Sequence, residues 1–217
     1  NSAQPYPLFV KPNDQIASFG ACIINAAVEG RAQLHDGSSY SSEEVIENIF
    51  GSASFLLQKV LRNHSDLASL SPNLATVRLV NLVRDGVVDT PFVVLKIPGA
   101  GNIADNFWRS GNMLADVDGD TGVVRRVVRR TGLEQEIVDL GTGLKLPMWM
   151  EVRDVNEKVA RLFAPVAFSS LDLAITSEGP VVVEINSGSS FDLIQVAVYG
   201  HAINFDIVDG EFGENVL

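Results

Sequence analysis

The sequence is poor in cysteine, in cations and in long apolar runs. Cys22 is the single cysteine among 217 residues, which excludes a disulfide framework and a cysteine-rich zinc site and suits a reducing compartment. The chain has 16 Lys and Arg residues and 27 Asp and Glu residues, so its net charge is negative. A general nucleic-acid binder needs an excess of cations to neutralise the phosphates. No stretch approaches the roughly 18 consecutive apolar residues of a membrane span. We therefore expect a cytoplasmic protein that binds no nucleic acid and has no membrane span.

Apolar residues, by contrast, are plentiful. They make up 46% of the chain, and charged residues make up 20%. This composition supports a sizeable core and excludes a disordered or low-complexity chain. No internal repeat or linker divides the sequence, so its length predicts one globular domain, or one domain of two lobes.

Short β-rich runs alternate with a few helical patterns. Ser41 followed by Glu44 is a capping box that predicts a helix start, and Asp154 predicts the N-cap of a second helix. Residues 98–122 predict a long functional loop, and residues 123–130 fit neither the helical nor the strand period. The predicted strands are 7–11, 21–28, 55–61, 75–83, 90–97, 171–176 and 180–186, and a third helix is predicted over 191–199. This order predicts an α+β fold of antiparallel sheets with helices packed on them.

The hydrophobic alternation of residues 171–186 can be converted into geometry. On the second strand of this hairpin, Glu184 and Asn186 share one face. If the hairpin loop has three residues, 177–179, then Asp172 lies directly opposite Glu184, with the Cβ atoms roughly 5 Å apart. Two carboxylates so close repel one another and need a cation between them. Together with an amide oxygen they are hard ligands that suit Mg²⁺ completed by waters and phosphates.

Two alternatives remain open for this hairpin. Glu184 and Asn186 can simply mark a strand that leaves the core, with Asp172 at a solvated edge. A two-residue turn of Glu178 and Gly179 would also place Asp172 and Glu184 on opposite faces, because the side-chain period of a strand is two. The magnesium prediction therefore depends on the register of the hairpin.

Two cationic side chains occupy positions that suit phosphate binding. Lys11 ends a strand just before the loop 12–20, where an ammonium can reach a phosphate as a point charge, or it is a surface lysine at a turn. Arg78 lies inside a strand between apolar neighbours, so its guanidinium needs a partner. That partner is a γ-phosphate or acyl phosphate in one interpretation, and a structural carboxylate such as Asp89 in the other.

Seven stretches form an ordered set along the chain. They are LFVKP (8–12), LLQKVLRNHSDLASL (56–70), ATVRLVNL (75–82), ADNFWRSGN (104–112), DVDGDTG (116–122), LPMW (146–149) and LDLAITSEGPVVVEINSGSSFD (171–192). In the last of them, Asp172 is followed about a dozen residues on by Glu184 and Asn186. This set resembles the ATP-grasp superfamily and, most closely, its sugar-transfer-associated branch. The resemblance covers nearly the whole chain.

The resemblance implies an ATP-grasp domain of two lobes of antiparallel sheet with a nucleotide between them. The smaller, nucleotide-covering lobe would comprise about residues 1–62, and the larger, metal-binding lobe about residues 63–217. An N-terminal pre-ATP-grasp domain would precede Asn1, so we expect the chain to be a piece of a longer protein. The implied site residues are Lys11, Gly20 and Gln58 for ATP, Arg78 and Lys96 for catalysis, and Asp172, Glu184 and Asn186 for Mg²⁺.

The implied reaction is the ATP- and Mg²⁺-dependent joining of a carboxylate to an amine or thiol through an acyl phosphate. The substrate would be a small-molecule or glycan-linked carboxylate, and the branch name points to cell-surface polysaccharide biosynthesis. A phosphotransferase and a non-catalytic nucleotide-binding module are the alternatives. The second is favoured by the single glycine of residues 14–20 and by Lys96, which stands where relatives carry arginine. The complete set of Asp172, Glu184 and Asn186 favours an enzyme.

Overall fold

The computed structural model describes residues 6–13, 20–51, 54–189 and 191–198, which form two antiparallel sheets with a few helices. The strands are β1 (Leu8–Pro12), β2 (Cys22–Val28), β3 (Arg31–Leu34), β4 (Ser39–Ser41), β5 (Phe55–Lys59), β6 (Thr76–Arg84), β7 (Val87–Ile97), β8 (Met113–Val117), β9 (Val124–Thr131), β10 (Glu134–Val138), β11 (Phe168–Thr176) and β12 (Gly179–Asn186). The helices are α1 (Ser42–Val45), which continues into a π-helical turn at Ile46–Phe50, α2 (Ser65–Ala68), α3 (Trp149–Leu162) and α4 (Phe191–Ala197). The α+β prediction is confirmed.

The two sheets use consecutive parts of the chain. One has the strand order β4-β3-β2-β1-β5, and the other has the order β10-β9-β8-β7-β6-β11-β12. The predicted lobe boundary near residue 62 falls between the last strand of the first sheet and the first strand of the second, and it stays a prediction. The predicted end of the third helix, residue 199, lies outside the described residues. Within those residues, no helix combines the length and the apolar character needed to cross a bilayer.

One face of the five-stranded sheet packs against the π-helical turn. Val10 and Cys22 are buried on that face, and Phe50 of the turn packs against them. The capping box predicted at α1 is present, since the Ser41 hydroxyl accepts a hydrogen bond from the Glu44 amide and the Glu44 carboxylate accepts one from the Ser41 amide (2.6 Å). Because strand side chains alternate, the opposite face of β1 and β5 is left to face the second sheet.

The main hydrophobic core lies between one face of the seven-stranded sheet and α3. Val77 on β6 and Leu95 on β7 are fully buried there, where Trp149 and Val152 of α3 belong to the same cluster. The indole N–H of Trp149 donates to the Gly119 carbonyl at 3.1 Å, so its one polar atom is satisfied. The neighbouring strand positions, of opposite parity, point away from this core.

Helix α3 begins at Trp149, before the N-cap predicted at Asp154. Its actual N-cap residue, Met148, has a left-handed backbone with φ 52° and makes no side-chain capping bond. Trp149, Val152 and Asn156 are buried along one face of the helix. The N-cap prediction is wrong because the burial of this first turn outweighs the local preference of an aspartate for the cap position.

The long loop predicted at residues 98–122 contains a strand. β8 occupies its middle, so the loop that precedes this strand spans only residues 98–112. The next strand, β9, shows why residues 123–130 fitted neither period. Val127 packs in the α3 core, whereas Val128 packs in a second cluster with Leu193 of α4. A strand covered on both faces loses the apolar-polar alternation.

The hairpin of β11 and β12 has the predicted pairing of Asp172 with Glu184, but its loop length differs from the predicted one. Its loop has two residues instead of the predicted three, since Thr176 pairs with Gly179. That register alone would bring Glu184 opposite Leu171. A β-bulge next to Asp172 shifts the pairing, so that Asp172 opposes Glu184 after all. The predicted opposition of the two carboxylates is confirmed, although the loop length behind it was wrong.

Candidate functional site

A cleft of about 800 Å³ lies between the two sheets. The five-stranded sheet lines it with the side of β1 and β5 that faces away from its own core, and the seven-stranded sheet lines it with the side opposite α3. The charged and amide-bearing residues in its lining are Lys11, Asn25, Gln58, Lys59, Arg62, Asn63, Asn73, Lys96, Asp105, Asp172 and Glu184. A concave cavity with a few convergent polar groups is the usual place for a small ligand.

The register of the central strands aligns charged side chains on the cleft side of the sheet. Arg78 on β6 is paired with Asp172 on β11, which is paired in turn with Glu184 on β12. Two residues before Arg78 along β6, Thr76 is paired with Lys96 on β7. Since residues two apart on a strand share a face, these side chains lie on one side of the sheet.

Asp172 is the centre of a buried ion cluster. Its carboxylate accepts hydrogen bonds from Arg78 Nε at 2.7 Å and from Arg78 Nη2 at 2.8 Å, a bidentate pair. Lys96 Nζ donates to Asp172 Oδ2 at 2.8 Å and lies 3.1 Å from a carboxylate oxygen of Asp105. The Thr76 hydroxyl donates to the same carboxylate of Asp105. Two cations and two carboxylates therefore neutralise one another in a site that water hardly reaches, since the Asp172 side chain is 2% exposed.

The pKa values of the cluster reflect these contacts. Burial raises the pKa of Asp172, but Lys96 and Arg78 outweigh burial and lower it to about 2. Burial lowers the pKa of Lys96, but the charges of Asp105 and Asp172 outweigh it and raise that pKa. Asp172 likewise raises the pKa of Arg78 against the effect of burial. All three groups are charged at neutral pH.

Asp172 is expected to make the stability of the fold sensitive to acid. Its pKa is lowered from 3.8 to about 2 on folding, so its ionisation stabilises the folded state above about pH 4, and this contribution is lost as the pH falls towards 2. The shift corresponds to roughly 2 kcal/mol. Urea unfolding of the wild type and of Asp172→Asn measures it, because the difference between their free energies of unfolding should shrink over that window. A difference that stays constant with pH would contradict this.

The chemistry of Asp172, Glu184 and Asn186 fits a magnesium site. Of the roughly four lone pairs of the Asp172 carboxylate, Arg78 and Lys96 use three, which leaves one on Oδ1. Glu184 is exposed in the cleft, and Asn186 follows it two residues on along the same strand, with an amide oxygen that is the third candidate donor. In that part of the chain no group of three or more His, Cys, Asp or Glu side chains could hold a metal ion. Two carboxylates and an amide oxygen are hard donors without a full cage, and such a set would suit Mg²⁺ with waters and substrate phosphates as its other ligands.

The structure brings most of the predicted site residues to this cleft. Those that line it are Lys11, Gln58, Lys96, Asp172 and Glu184. Arg78 contacts Asp172, and Asn186 follows Glu184 on the same strand. Gly20 has φ +74° but does not line the cleft, and residues 14–19 lie outside the described part of the chain. The roles assigned to these residues stay predictions.

The partner of Arg78 is the carboxylate of Asp172, and not that of Asp89, the predicted example of a structural carboxylate. Asp89 is exposed and is paired with Leu82, farther along β6. Asp172 is paired directly with Arg78 on the strand at the other side of β6. The order of strands in the sheet, which the local pattern does not contain, decides between the two carboxylates.

Two residues of the cluster, Asp105 and Thr76, were not predicted from the sequence. Asp105 lies in the loop 98–112, and a loop residue has no periodicity that would predict the direction of its side chain. Asp105 belongs to the stretch ADNFWRSGN, one of the motifs that carry the resemblance. That motif was the one feature of the sequence that could have pointed to Asp105. Thr76 is on β6 two residues before Arg78, so the shared face of these two residues could have predicted its place.

A second cavity, of about 780 Å³, lies on the seven-stranded sheet near Asp89 and Asp118. Its acidic turn is satisfied locally, because the Asp118 carboxylate accepts hydrogen bonds from the amides of Asp120 and Thr121 and also pairs with Arg125. These contacts account for the charge of Asp118, and none of the predicted site residues lines this cavity, so it is the weaker candidate.

A family model described as sugar-transfer associated ATP-grasp matches residues 3–204, which confirms the resemblance. No match was found among curated proteins. Among solved structures, the chain is similar to an L-amino acid ligase from Bacillus licheniformis, with 11% identity and a TM-score of 0.42 over 88% of this chain and 34% of that one. It is also similar to a D-alanine–D-alanine ligase from Bacillus anthracis in complex with ATP, with 15% identity and a TM-score of 0.37 over 84% of this chain and 43% of that one. The chain thus spans less than half the length of either protein.

Proposed function

Because the chain belongs to the sugar-transfer associated ATP-grasp family, we propose that it is the nucleotide-binding part of an ATP- and Mg²⁺-dependent ligase that joins a carboxylate to an amine or thiol. The observation that carries this proposal is the row of Arg78, Asp172 and Glu184 across three neighbouring strands, with Lys96 beside it, because Lys96, Asp172 and Glu184 line the cleft. Such a row offers cations to phosphates and carboxylate oxygens to a metal ion within one small space.

Different residues of the site would bind the phosphates, stabilise the charge that develops in the reaction and hold the metal ion. Lys11, at the end of β1, reaches the cleft from the opposite sheet and would contact the phosphates. Arg78 and Lys96 would stabilise the negative charge that develops while the substrate carboxylate attacks the γ-phosphorus and ADP leaves. Asp172, Glu184 and Asn186 would hold Mg²⁺, which supplies neutralising charge on the phosphates.

The second half of the proposed reaction needs less from the described residues. The amine or thiol attacks the acyl carbon of the acyl phosphate, the C–O bond to phosphate breaks, and the proton of the nucleophile must be accepted by a base. The substrate is proposed to be a small-molecule or glycan-linked carboxylate. A role in polysaccharide biosynthesis is supported by the family description alone.

One observation favours a non-catalytic nucleotide-binding module as the second candidate. The carboxylate of Asp172, the predicted metal ligand, already accepts three hydrogen bonds from Arg78 and Lys96. A side chain so well satisfied would stay in place without a metal ion. A ligase and such a module differ in whether ADP and phosphate form in the presence of a carboxylate and an amine, and a phosphotransferase would leave a phosphorylated product.

Binding of a non-hydrolysable ATP analogue is expected to raise the Tm only when Mg²⁺ is present. At about 100 times its Kd a ligand stabilises the fold by roughly 2.7 kcal/mol, which is several degrees for a domain of this size. Glu184→Gln should lose this shift because it removes an exposed metal ligand. Glu178→Gln, on the turn of the same hairpin, is the matched control and should keep it.

The outcomes of this thermal-shift measurement are distinct. A shift that is equal with and without Mg²⁺ would contradict the metal site, and a shift that survives in Glu184→Gln would remove Glu184 from it. The absence of a shift in a folded wild-type chain would contradict the nucleotide site of this chain.

A further inference from the structure

We propose that Asp105 is a positioning residue of the nucleotide site, which the loop 98–112 presents so that it holds the Lys96 ammonium in the cleft. This inference rests on the proposed function, because Lys96 is the residue through which Asp105 would act. It assigns a role to a loop that lies between two strands of the large sheet and to a carboxylate that the sequence pattern did not single out.

The first step is the position of the ammonium. Lys96 Nζ lies between two carboxylates, at 2.8 Å from an oxygen of Asp172 and 3.1 Å from an oxygen of Asp105. Asp172 also binds Arg78 and is the predicted metal ligand, so Lys96 has to share it. Asp105 contacts Lys96 and Thr76 and lies outside the predicted metal set. It is therefore the carboxylate that can keep Lys96 in place while Asp172 serves the metal ion.

The second step is the balance of charge. The groups that face Lys96 from the packed elements are Arg78 on β6, Asp172 on β11 and Asp105 in the loop, and Glu184 on β12 acts on Arg78. With Asp105 present, two cations face two carboxylates inside the protein. Without Asp105, a single carboxylate would have to neutralise two buried cations, and the long side chain of Lys96 would move towards water.

The third step is the construction of the loop around a buried side chain. Asn112 is fully buried, and its amide oxygen accepts hydrogen bonds from the Gly99 amide and from the Asn102 side chain, both at 2.7 Å. Its amide nitrogen donates to the carbonyls of Ala104 at 3.0 Å and Asn106 at 2.6 Å. These four bonds use the full capacity of the amide, and the last two fix the backbone on either side of Asp105.

The fourth step is the fixing of the carboxylate itself. The residue before Asp105, Ala104, and the nearby Phe107 are both buried, so the loop is anchored in the protein around this position. The Thr76 hydroxyl donates to the Asp105 carboxylate, and Thr76 is 4% exposed on the central strand β6. At the base of the loop, a Cβ on Gly99 would come within 2.6 Å of the Gly111 carbonyl oxygen, so its two ends approach as only glycine allows. The loop 98–112 and strand β6 together hold the Asp105 carboxylate in contact with Lys96.

The first arm of the test is a double-mutant cycle on the full chain. The Kd of a non-hydrolysable ATP analogue with Mg²⁺ is measured by calorimetry for the wild type, Asp105→Asn, Lys96→Met and the double variant. We expect Asp105→Asn to weaken binding roughly tenfold, or about 1.4 kcal/mol, and the double variant to bind no more weakly than Lys96→Met. Additive losses, or no loss in Asp105→Asn, would overturn the proposal, because an effect on the loop alone is independent of Lys96.

The second arm of the test detects the Lys96 ammonium by NMR, without a nucleotide. An ammonium held by two carboxylates exchanges its protons slowly, so Lys96 should give an NH₃⁺ cross-peak in the ¹⁵N NMR spectrum that is absent in Lys96→Met. We expect Asp105→Asn to lose this cross-peak and Asp85→Asn to keep it. Asp85 is a matched control because it lies on the exposed β6–β7 turn at φ 48°, where asparagine is well tolerated.

The two arms separate failure of the inference from failure of the proposed function. A cross-peak that survives in Asp105→Asn would overturn the inference. A wild-type chain that shows the cross-peak but binds no nucleotide would overturn the proposed function and the functional role of Asp105 with it, while the contact between Asp105 and Lys96 would stand.

Discussion

Asp172→Ala is expected to lower the free energy of unfolding at neutral pH by about 3–5 kcal/mol, because it leaves Arg78 and Lys96 buried with too little negative charge around them. Arg78 would lose both hydrogen bonds of its bidentate pair, and Lys96 would keep only Asp105. Urea unfolding followed by circular dichroism measures the loss. It is a large fraction of the 5–15 kcal/mol that stabilises a typical domain.

Glu184→Ala is the matched control for this variant. Glu184 belongs to the same predicted metal set and faces Asp172 across the hairpin, but its side chain is exposed and the structure gives it no hydrogen bond among the described residues. We expect it to change the free energy of unfolding by less than about 0.5 kcal/mol. Equal losses in the two variants would show that the buried cations are not the cause. If Asp172→Ala does not fold, Asp172→Asn provides the same comparison with a smaller change of shape.

This contrast shows what the sequence could and could not predict about the site. The parity of the last two strands placed Asp172 opposite Glu184, and the apolar neighbours of Arg78 showed that its guanidinium needs a partner. Neither pattern contains the order of strands in the sheet. That order places β6 beside β11, so that the partner of Arg78 is the same Asp172 that was predicted to bind metal.

Long-range packing explains three further differences between prediction and structure. The predicted strands survive with small changes at their ends, because apolar and β-branched residues mark them locally. The start of α3 moved from Asp154 to Trp149 because burial of an indole outweighs a cap. With a two-residue loop alone, Asp172 would not lie opposite Glu184, and the bulge beside Asp172 restores this pairing. No local residue pattern predicts the bulge. The position of Asp105 depends on hydrogen bonds from the Asn112 side chain to the loop backbone at Ala104 and Asn106. A strand pattern in the sequence does not predict such contacts.

Replacing the whole ion cluster by uncharged residues is expected to separate stability from function. The variant carries Arg78→Met, Lys96→Met, Asp172→Leu and Asp105→Asn. Buried ion pairs replaced by apolar residues of similar size are often neutral or stabilising by about 1–4 kcal/mol, because no charge remains to be desolvated. We expect this variant to be at least about 2 kcal/mol more stable than Asp172→Ala, and to show no Mg²⁺-dependent thermal shift with the ATP analogue.

Each result of this experiment has a definite meaning for the site. Recovered stability without nucleotide binding would mean that the fold does not need these four charges and that binding does. Stability as low as that of Asp172→Ala would mean that the cluster is a structural brace of the sheet, which favours the non-catalytic module. Retained binding would place the nucleotide elsewhere than over Lys96 and Asp172. The expected outcome follows from the energetics, since four charges buried beside an open cleft cost desolvation that an apolar core would avoid.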